Sequence, residues 1–131
     1  MKGKPHSLTR KIQRCYFVYI LSSLSGTLYV GLTDELRTRM IQHKNGTFDG
    51  FTKKYKVNRL MYYETYTNSV AVQSREQQLK KFRREKKIAL FRDCNPQWKD
   101  LTPELFQRIG IPRYARELAR RLSPISPTTR L

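Results

Sequence analysis

Two short apolar segments on either side of a Ser-Gly pair constrain the fold of this chain more than any other feature. The first, residues 16–21, is aromatic and β-branched, and the second, residues 27–33, has a similar character. Both compositions are typical of buried β-strands. Because the connection between them is short, polar and contains Ser25-Gly26, the two strands are predicted to form an antiparallel hairpin.

A helix is predicted directly after the hairpin, over residues 34–44. Thr33 or Asp34 can cap its first turn, and an Asn-Gly pair is a typical stop at its end. The polar and basic segment that follows, residues 46–58, is predicted to be a loop.

The second half of the chain predicts one more strand, over residues 60–66, and a longer helix. Asn68 or Ser69 can cap that helix, which is expected to cover residues 70–86. Residues 88–92 are also predicted to be helical, after a bend. The order β-β-α-β-α-α predicts an α+β fold with a small three-stranded, mostly antiparallel sheet flanked by helices.

The composition changes at both ends of this region. Residues 1–14 carry five cationic residues and no acidic one, and they are predicted to form a flexible basic arm. Residues 15–101 form the predicted domain. Residues 102–131 are predicted to be a basic extension that is partly helical and then disordered.

The charge of the chain is strongly one-sided. It has 27 Lys and Arg against 10 Asp and Glu, a net charge of +17 in 131 residues. This balance favours a polyanionic partner, with nucleic acid ahead of an anionic membrane surface. No apolar run approaches the roughly 20 residues that span a bilayer, and the N-terminus lacks the apolar core of a signal peptide. Two cysteines without metal-ligand spacing fit a reducing compartment, so a cytoplasmic protein without a membrane partner is expected.

Several motifs, in order, resemble those of the GIY-YIG nuclease family, in particular its small stand-alone bacterial members. The two strand motifs that name the family are present here with Phe17 in place of glycine and Val30 in place of isoleucine. The resemblance covers roughly residues 15–101. The matching stretches are Phe17-Val18-Tyr19, Tyr29-Val30-Gly31, and residues 34–39, 42–46, 50–55, 74–81 and 95–98.

The resemblance implies a metal-dependent endonuclease that hydrolyses phosphodiester bonds in nucleic acid, with DNA expected over RNA and DNA repair as the expected setting. It implies one divalent ion, Mg²⁺ or Mn²⁺, held by Glu76. It also implies a set of catalytic positions, which are Tyr19, Tyr29, Arg39, His43, Glu76 and Asn95.

The tyrosines, taken by themselves, leave two interpretations open. Residues two apart on a strand share a face, so Phe17 lies with Tyr19, and Tyr29 with Gly31. Tyrosines in the middle of paired strands can place two hydroxyls in one shallow site. They are also ordinary sheet-packing aromatics. The residues alone favour packing, and the resemblance favours a site.

Arg39 and His43 are both predicted to lean towards the sheet. Leu36 and Met40 define the buried stripe of their helix, and the two residues fall about 60° and about 20° from Leu36. A guanidinium in that place suits a scissile phosphate, and a histidine can deprotonate water. The resemblance implies that His43 shares this role with Tyr19. The alternatives are an arginine stem packed at the helix edge and a histidine that is only a structural or surface residue.

Glu76 is predicted to lie about 40° from Val72, on the apolar face of the longer helix. An acid next to a core is costly unless it is paired or binds a metal. Lys80 and Arg83 are possible ion-pair partners, whereas a single carboxylate with open water positions suits Mg²⁺. The residues alone favour the ion pair, and the resemblance favours the metal.

The remaining candidates are basic or polar residues near the expected site. Residues 69–92 hold eight cations against two acids, which suits tracking of phosphates but is also common on a solvated face. Asn95, before a proline, has the plain alternative role of ending a helix. A non-catalytic nucleic-acid-binding protein on the same scaffold is therefore the alternative function. The candidate phosphate contacts are Thr33, Lys53, Lys54, Lys80, Arg83 and Arg84.

Overall fold

Three strands form one antiparallel sheet in the computed structural model, which describes residues 14–47 and 50–109. They are β1 (Tyr16–Ser22), β2 (Leu28–Thr33) and β3 (Arg59–Tyr66). The order across the sheet is β2-β1-β3, so β1 is central and β2 lies at an edge. Helices accompany the sheet, which confirms the predicted α+β fold. The antiparallel pairing of β1 with β2 confirms the predicted hairpin.

Five helices accompany the sheet in the described part of the chain. Three of them correspond to the helical segments predicted after the hairpin, after β3 and over residues 88–92. Their bounds are α1 (Leu36–Lys44), α2 (Phe51–Lys54), α3 (Ser69–Lys81), α4 (Arg84–Arg92) and α5 (Thr102–Ile109).

Alternation along the strands divides the buried side chains into two clusters, one on each face of the sheet. On one face, α3 and α4 supply Val72, Leu79 and Phe91 to a cluster with Val18 and Ile20 of β1. The other face packs against α1 and α5. It holds Tyr19, Leu21, Leu36, Met40, Val57, Leu60 and Leu105. Helices thus cover both faces of the small sheet.

A β-bulge in β3 changes which residues face which cluster. Ile20 pairs with Tyr62 and Leu21 with Leu60, so Met61 is the extra residue. Met61 and Tyr62 consequently both pack in the cluster under α3 and α4.

Three local predictions were wrong. The helix predicted over residues 70–86 ends at Lys81, because Phe82 and Arg83 are extended, with ψ of 145° and 164°. On a continuous helix Phe91 would point about 120° away from Leu79, whereas the break lets both pack in one cluster. The loop predicted over residues 46–58 contains α2. The cap of α1 is Glu35 rather than Thr33 or Asp34, with its carboxylate accepting from the Thr38 amide.

The cap predicted for α3 is confirmed, since the Asn68 side chain accepts a hydrogen bond from the Ala71 amide. The domain continues past residue 101, because Leu105 of α5 is only 1% exposed within the second cluster. The predicted basic arm, apart from Arg14, and the extension beyond residue 109 lie outside the described residues. No helix in the described part of the chain is long and apolar enough to cross a membrane.

Candidate active site

The candidate site begins with a close approach between two neighbouring strands. Tyr19 of β1 and Gly31 of β2 are register partners, and Tyr19 is fully buried. A Cβ atom on Gly31 would lie 2.4 Å from both Cζ and the hydroxyl oxygen of Tyr19. Only glycine therefore lets the Tyr19 ring lie across the backbone of β2. The phenol hydroxyl is carried in this way towards the free edge of the sheet.

His43 contacts the same hydroxyl from α1. Its Nε2 atom lies 3.1 Å from the Tyr19 oxygen, and both side chains are buried. Burial, together with the positive charges of Arg39 and Lys44, lowers the pKa of His43 to about 4. His43 is therefore neutral at pH 7, and the Nδ1–H tautomer lets Nε2 accept the proton of Tyr19. The prediction that His43 leans towards the sheet is confirmed.

Arg39 acts on the Tyr19 hydroxyl by charge and by a side-chain hydrogen bond. Burial raises the pKa of Tyr19 well above its ordinary value, and the neighbouring Tyr29 raises it further, while Arg39 opposes both. Tyr19 is thus protonated at neutral pH, with a cation placed where negative charge would develop on its oxygen. Arg39 and His43 lie four residues apart on α1 and face the same atom.

Tyr29 completes this side of the site from the edge strand β2. Its ring centroid lies 6.4 Å from that of Tyr19 and 6.0 Å from that of His43. Tyr29 is partly exposed, unlike the buried Tyr19. The predicted pair of tyrosines in one site is therefore present in the structure, with one ring buried and the other open to solvent.

Glu76 approaches from the opposite face of the sheet. Its helix, α3, packs against β1 and β2, and the Glu76 charge contributes to the raised pKa of Tyr19. The Glu76 side chain is 18% exposed and forms an ion pair with Lys80, with 2.9 Å between Oε2 of Glu76 and Nζ of Lys80. The helix ion pair considered as the structural alternative is therefore present. Glu76 nevertheless acts electrostatically on Tyr19 from a helix that packs on β1 and β2.

The number of metal-ligating side chains that come together in the structure limits which ion Glu76 can help to hold. No group of three or more His, Cys, Asp or Glu side chains is assembled within residues 14–47 and 50–109. That excludes an all-protein cage among these residues and leaves Glu76 as a single carboxylate. Mg²⁺ fits this donor set, since it keeps several waters and binds few protein ligands. Lys80, 54% exposed, can turn into solvent to release the carboxylate.

The Asn95 side chain joins the turn after α4 to β3. Its amide nitrogen donates to the carbonyl oxygens of Met61 at 3.3 Å and Lys99 at 2.9 Å. Its oxygen accepts from the Lys99 amide at 2.9 Å. The side chain is buried, so it ties the turn after α4 to the bulged residue of β3. Asn95 therefore has the structural role of ending this segment, and its catalytic role stays a prediction.

Two of the candidate phosphate contacts also have structural partners. The Thr33 hydroxyl is buried and accepts a hydrogen bond from the Glu35 amide at 3.0 Å. The Arg84 guanidinium donates to the carbonyl oxygen of Gly26 at 2.6 Å and lies over the Trp98 ring. Lys53, Lys54 and Arg83 are exposed, and Lys80 lies beside Glu76.

A second cluster of polar side chains was missed by the sequence analysis. Glu64 of β3 accepts hydrogen bonds from Tyr62 and Tyr66, and both Nε and a terminal nitrogen of Arg75 lie 2.9 Å from its carboxylate. Arg75 belongs to α3 and directly precedes Glu76. The signal was the spacing of Tyr62, Glu64 and Tyr66, since alternate residues of a strand share a face.

Residues 15–89 match the family model described as the GIY-YIG catalytic domain. The chain belongs to the GIY-YIG family. The resemblance read from the motifs is therefore confirmed, and Phe17 and Val30 are tolerated variants of the naming motifs.

Proteins with similar sequences include several UPF0213 proteins, most of whose length this chain covers. A UPF0213 protein of Staphylococcus epidermidis is 33% identical over 78 residues, which cover 60% of this chain and 95% of that protein. A UPF0213 protein of Clostridium perfringens is 36% identical over 74 residues, or 56% of this chain and 80% of the relative. The solution structure of a UPF0213 protein from Bacillus halodurans is 24% identical, with a TM-score of 0.44, and covers 67% of this chain and 94% of that structure.

Proposed function

We propose that this GIY-YIG protein is a metal-dependent endonuclease that hydrolyses phosphodiester bonds in nucleic acid, with DNA as its substrate. The observation that carries the proposal is the convergence of Arg39 and His43 on the Tyr19 hydroxyl, within electrostatic reach of Glu76. A buried phenol, a neutral imidazole and a guanidinium around one oxygen form an arrangement suited to proton transfer beside an anion.

Tyr19 and His43 would together remove a proton from the attacking water. The neutral His43 Nε2 can take the proton of the Tyr19 hydroxyl as that oxygen takes a proton from water. The short contact between the two side chains supports this sharing, because the proton moves along an existing hydrogen bond. Arg39 would stabilise the negative charge that passes through the Tyr19 oxygen.

Arg39 and Tyr29 would also hold the scissile phosphate. The planar guanidinium can donate to phosphate oxygens on which charge builds in the transition state. Tyr29 lies on the edge strand and is open to solvent, so its hydroxyl is available to a polymer laid along that edge. Lys80, whose charge also reaches Tyr29, supplies a further cation next to the phosphate.

Glu76 would hold one divalent ion, Mg²⁺ or Mn²⁺. When bound, such an ion supplies polarisation of the phosphate and of the leaving oxygen. The single, partly buried carboxylate fits this role. The Glu76–Lys80 ion pair is also what a non-catalytic nucleic-acid-binding protein would show, so the two functions must be separated by experiment.

The test is cleavage of labelled single-stranded, duplex, flapped and branched DNA, and of RNA, in the presence of Mg²⁺, Mn²⁺ or EDTA. Glu76→Gln is compared with Glu85→Gln, which removes the same charge from an exposed position on the next helix. We expect Glu76→Gln to slow cleavage by at least roughly 100-fold, because the ion's contribution is several kcal/mol. Glu85→Gln should cleave as the wild type does.

Two results would overturn parts of the proposal. Metal-dependent cleavage that persists in Glu76→Gln would remove Glu76 as the metal ligand. Tight binding without cleavage of any substrate by the wild type would establish the non-catalytic function instead.

A further inference from the structure

The proposed site continues into a row of aromatic rings on the surface. The Phe51 ring stacks on the Tyr29 ring with centroids 6.3 Å apart and planes 25° apart. The Tyr55 ring lies 4.9 Å from that of Phe51. Phe51 opens the short helix α2 and Tyr55 follows it, so the loop after α1 places both rings beside the edge strand. The row therefore begins at a proposed catalytic tyrosine.

The outer two rings are exposed to solvent. Phe51 is 47% exposed and Tyr55 is 48% exposed. Within the described residues, the other exposed large hydrophobic side chains are Leu24 and Val70. Leu24 lies in the turn between β1 and β2 and lines one cavity together with Tyr55, whereas Val70 lies on α3. Single exposed apolar residues need no explanation, whereas two adjacent exposed aromatics point to a ligand with a flat apolar surface.

The charge around the rings selects the kind of ligand. Residues 50–58 contain three lysines and no acidic residue. The Lys54 ammonium lies 5.4 Å from the centre of the Tyr55 ring, and Lys53 and Lys56 are exposed on the same segment. A ligand that combines flat rings with closely spaced negative charges is a strand of nucleic acid with unpaired bases, for which aromatic platforms among cations are suited.

We propose that Phe51 and Tyr55 form a stacking site for an unpaired base next to the phosphate held at Tyr29. This inference rests on the proposed function and deepens it, because it selects the substrate class. Bases inside a duplex are already stacked on their neighbours, so their faces are not available to a protein ring. The preferred substrates are thus single-stranded nucleic acid, or a strand that is unpaired beside the cleaved bond.

Binding in EDTA tests the inference without any cleavage. Fluorescence anisotropy with a labelled single-stranded oligonucleotide that does not self-pair is compared with the blunt duplex of the same labelled strand and its complement. We expect Phe51→Ala and Tyr55→Ala each to weaken single-strand binding at least fivefold, the size typical for the loss of one stacking contact. Duplex binding should change less than twofold. Val70→Ala, which removes an exposed apolar side chain from α3, should leave both unchanged.

A second variant covers the case in which alanine at position 51 disturbs the fold. Phe51→Trp keeps an aromatic face and adds a fluorophore, with the wild-type signal from Trp98 as the background. We expect it to bind the single strand as the wild type does and to lose fluorescence on binding, as the indole stacks on a base.

Unchanged single-strand binding by Phe51→Ala, an equal loss on the duplex, or no fluorescence change in Phe51→Trp would each overturn the stacking site. These outcomes are independent of cleavage. Failure of the nuclease proposal appears instead as persistent cleavage by Glu76→Gln or as binding without cleavage.

Discussion

At the scale of single residues, one oxygen atom organises the candidate site. The Tyr19 hydroxyl reaches the edge of the sheet only because Gly31 has no side chain. Four side chains then act on it: His43 and Arg39 from α1, Tyr29 from β2 and Glu76 from α3. The motif spacing indicated which residues belong to one site. The close approach across Gly31 depends on the strand register, which sequence spacing does not give.

His43 should make folding stability depend on pH. Its folded pKa of about 4 lies below the ordinary value of 6.5, so below about pH 6.5 the unfolded chain binds a proton that the folded protein does not. Stability therefore falls as the pH drops from about 6.5 towards about 4, by roughly 2 kcal/mol for a group of this burial.

The measurement is urea unfolding of wild type and His43→Gln across that pH range. Carboxylates and the second histidine, His6, are common to both proteins, so they cancel in the difference. We expect the stability advantage of the wild type to shrink as the pH falls. If the unfolding free energies of the two proteins change in parallel with pH, His43 is not held neutral by the fold.

At the scale of elements, α3 is fixed to the sheet by Arg75 and presents Glu76 from the next position. The Arg75 guanidinium donates two hydrogen bonds to Glu64 of β3, and Gln78 accepts a third. Paired donors in a planar fork fix orientation as well as distance. Arg75 and Glu64 therefore set the rotation of α3, and with it the side from which Glu76 reaches the edge strand.

Substitution of Glu64 and substitution of Glu76 should consequently have different effects on the free energy of unfolding. Glu64→Gln leaves the partly buried Arg75 without its charge partner, so we expect a loss of roughly 2 kcal/mol in the free energy of unfolding. Glu76→Gln breaks an ion pair whose lysine is mostly exposed, so stability should change by less than about 1 kcal/mol.

Thermal and urea unfolding measure the stabilities, and the cleavage assay measures activity. The expected pattern is a stable, inactive Glu76→Gln protein and a destabilised Glu64→Gln protein that still cleaves when folded. Equal destabilisation of both variants would contradict the separate roles of the two glutamates.

The elements themselves could largely be predicted from sequence, because strand composition, turn residues and caps act locally. The exceptions share one cause. The break at Phe82 and Arg83 has no glycine or proline to signal it and is set by where Phe91 packs. In the same way, the bulge at Met61 follows from packing between elements. The contacts of Asn95 and Arg84 also join distant segments, so their structural roles were not visible in the motifs.

At the scale of the whole molecule, α5 adds to the core beyond the residues that the family model matches. Leu105 packs with Leu36 and Met40 in the cluster on the Tyr19 face. Asp100, just before α5, accepts hydrogen bonds from the Leu60 amide and from Lys44. The family match ends at residue 89, yet these contacts support α1, the helix that carries Arg39 and His43.

Truncation should therefore separate folding from nucleic-acid affinity. A chain ending at residue 101 loses Leu105 from a buried cluster, and we expect it to be destabilised by about 2–5 kcal/mol, the usual cost of emptying such a position. A chain ending at residue 109 keeps that cluster and should unfold at nearly the same urea concentration as the full chain. It also lacks five arginines and one glutamate, so its net charge falls from +17 to +13.

Fewer cations should mean fewer released counterions, so the chain ending at residue 109 should bind DNA more weakly and with a shallower dependence on salt. Anisotropy titrations in EDTA at several salt concentrations give this slope for both proteins. Because phosphate contacts carry no sequence information, the loss should be the same for unrelated sequences of equal length. An unchanged slope would show that the arginines beyond residue 109 do not contact the phosphates. A chain ending at residue 101 that is as stable as the full chain would show that α5 is dispensable to the core.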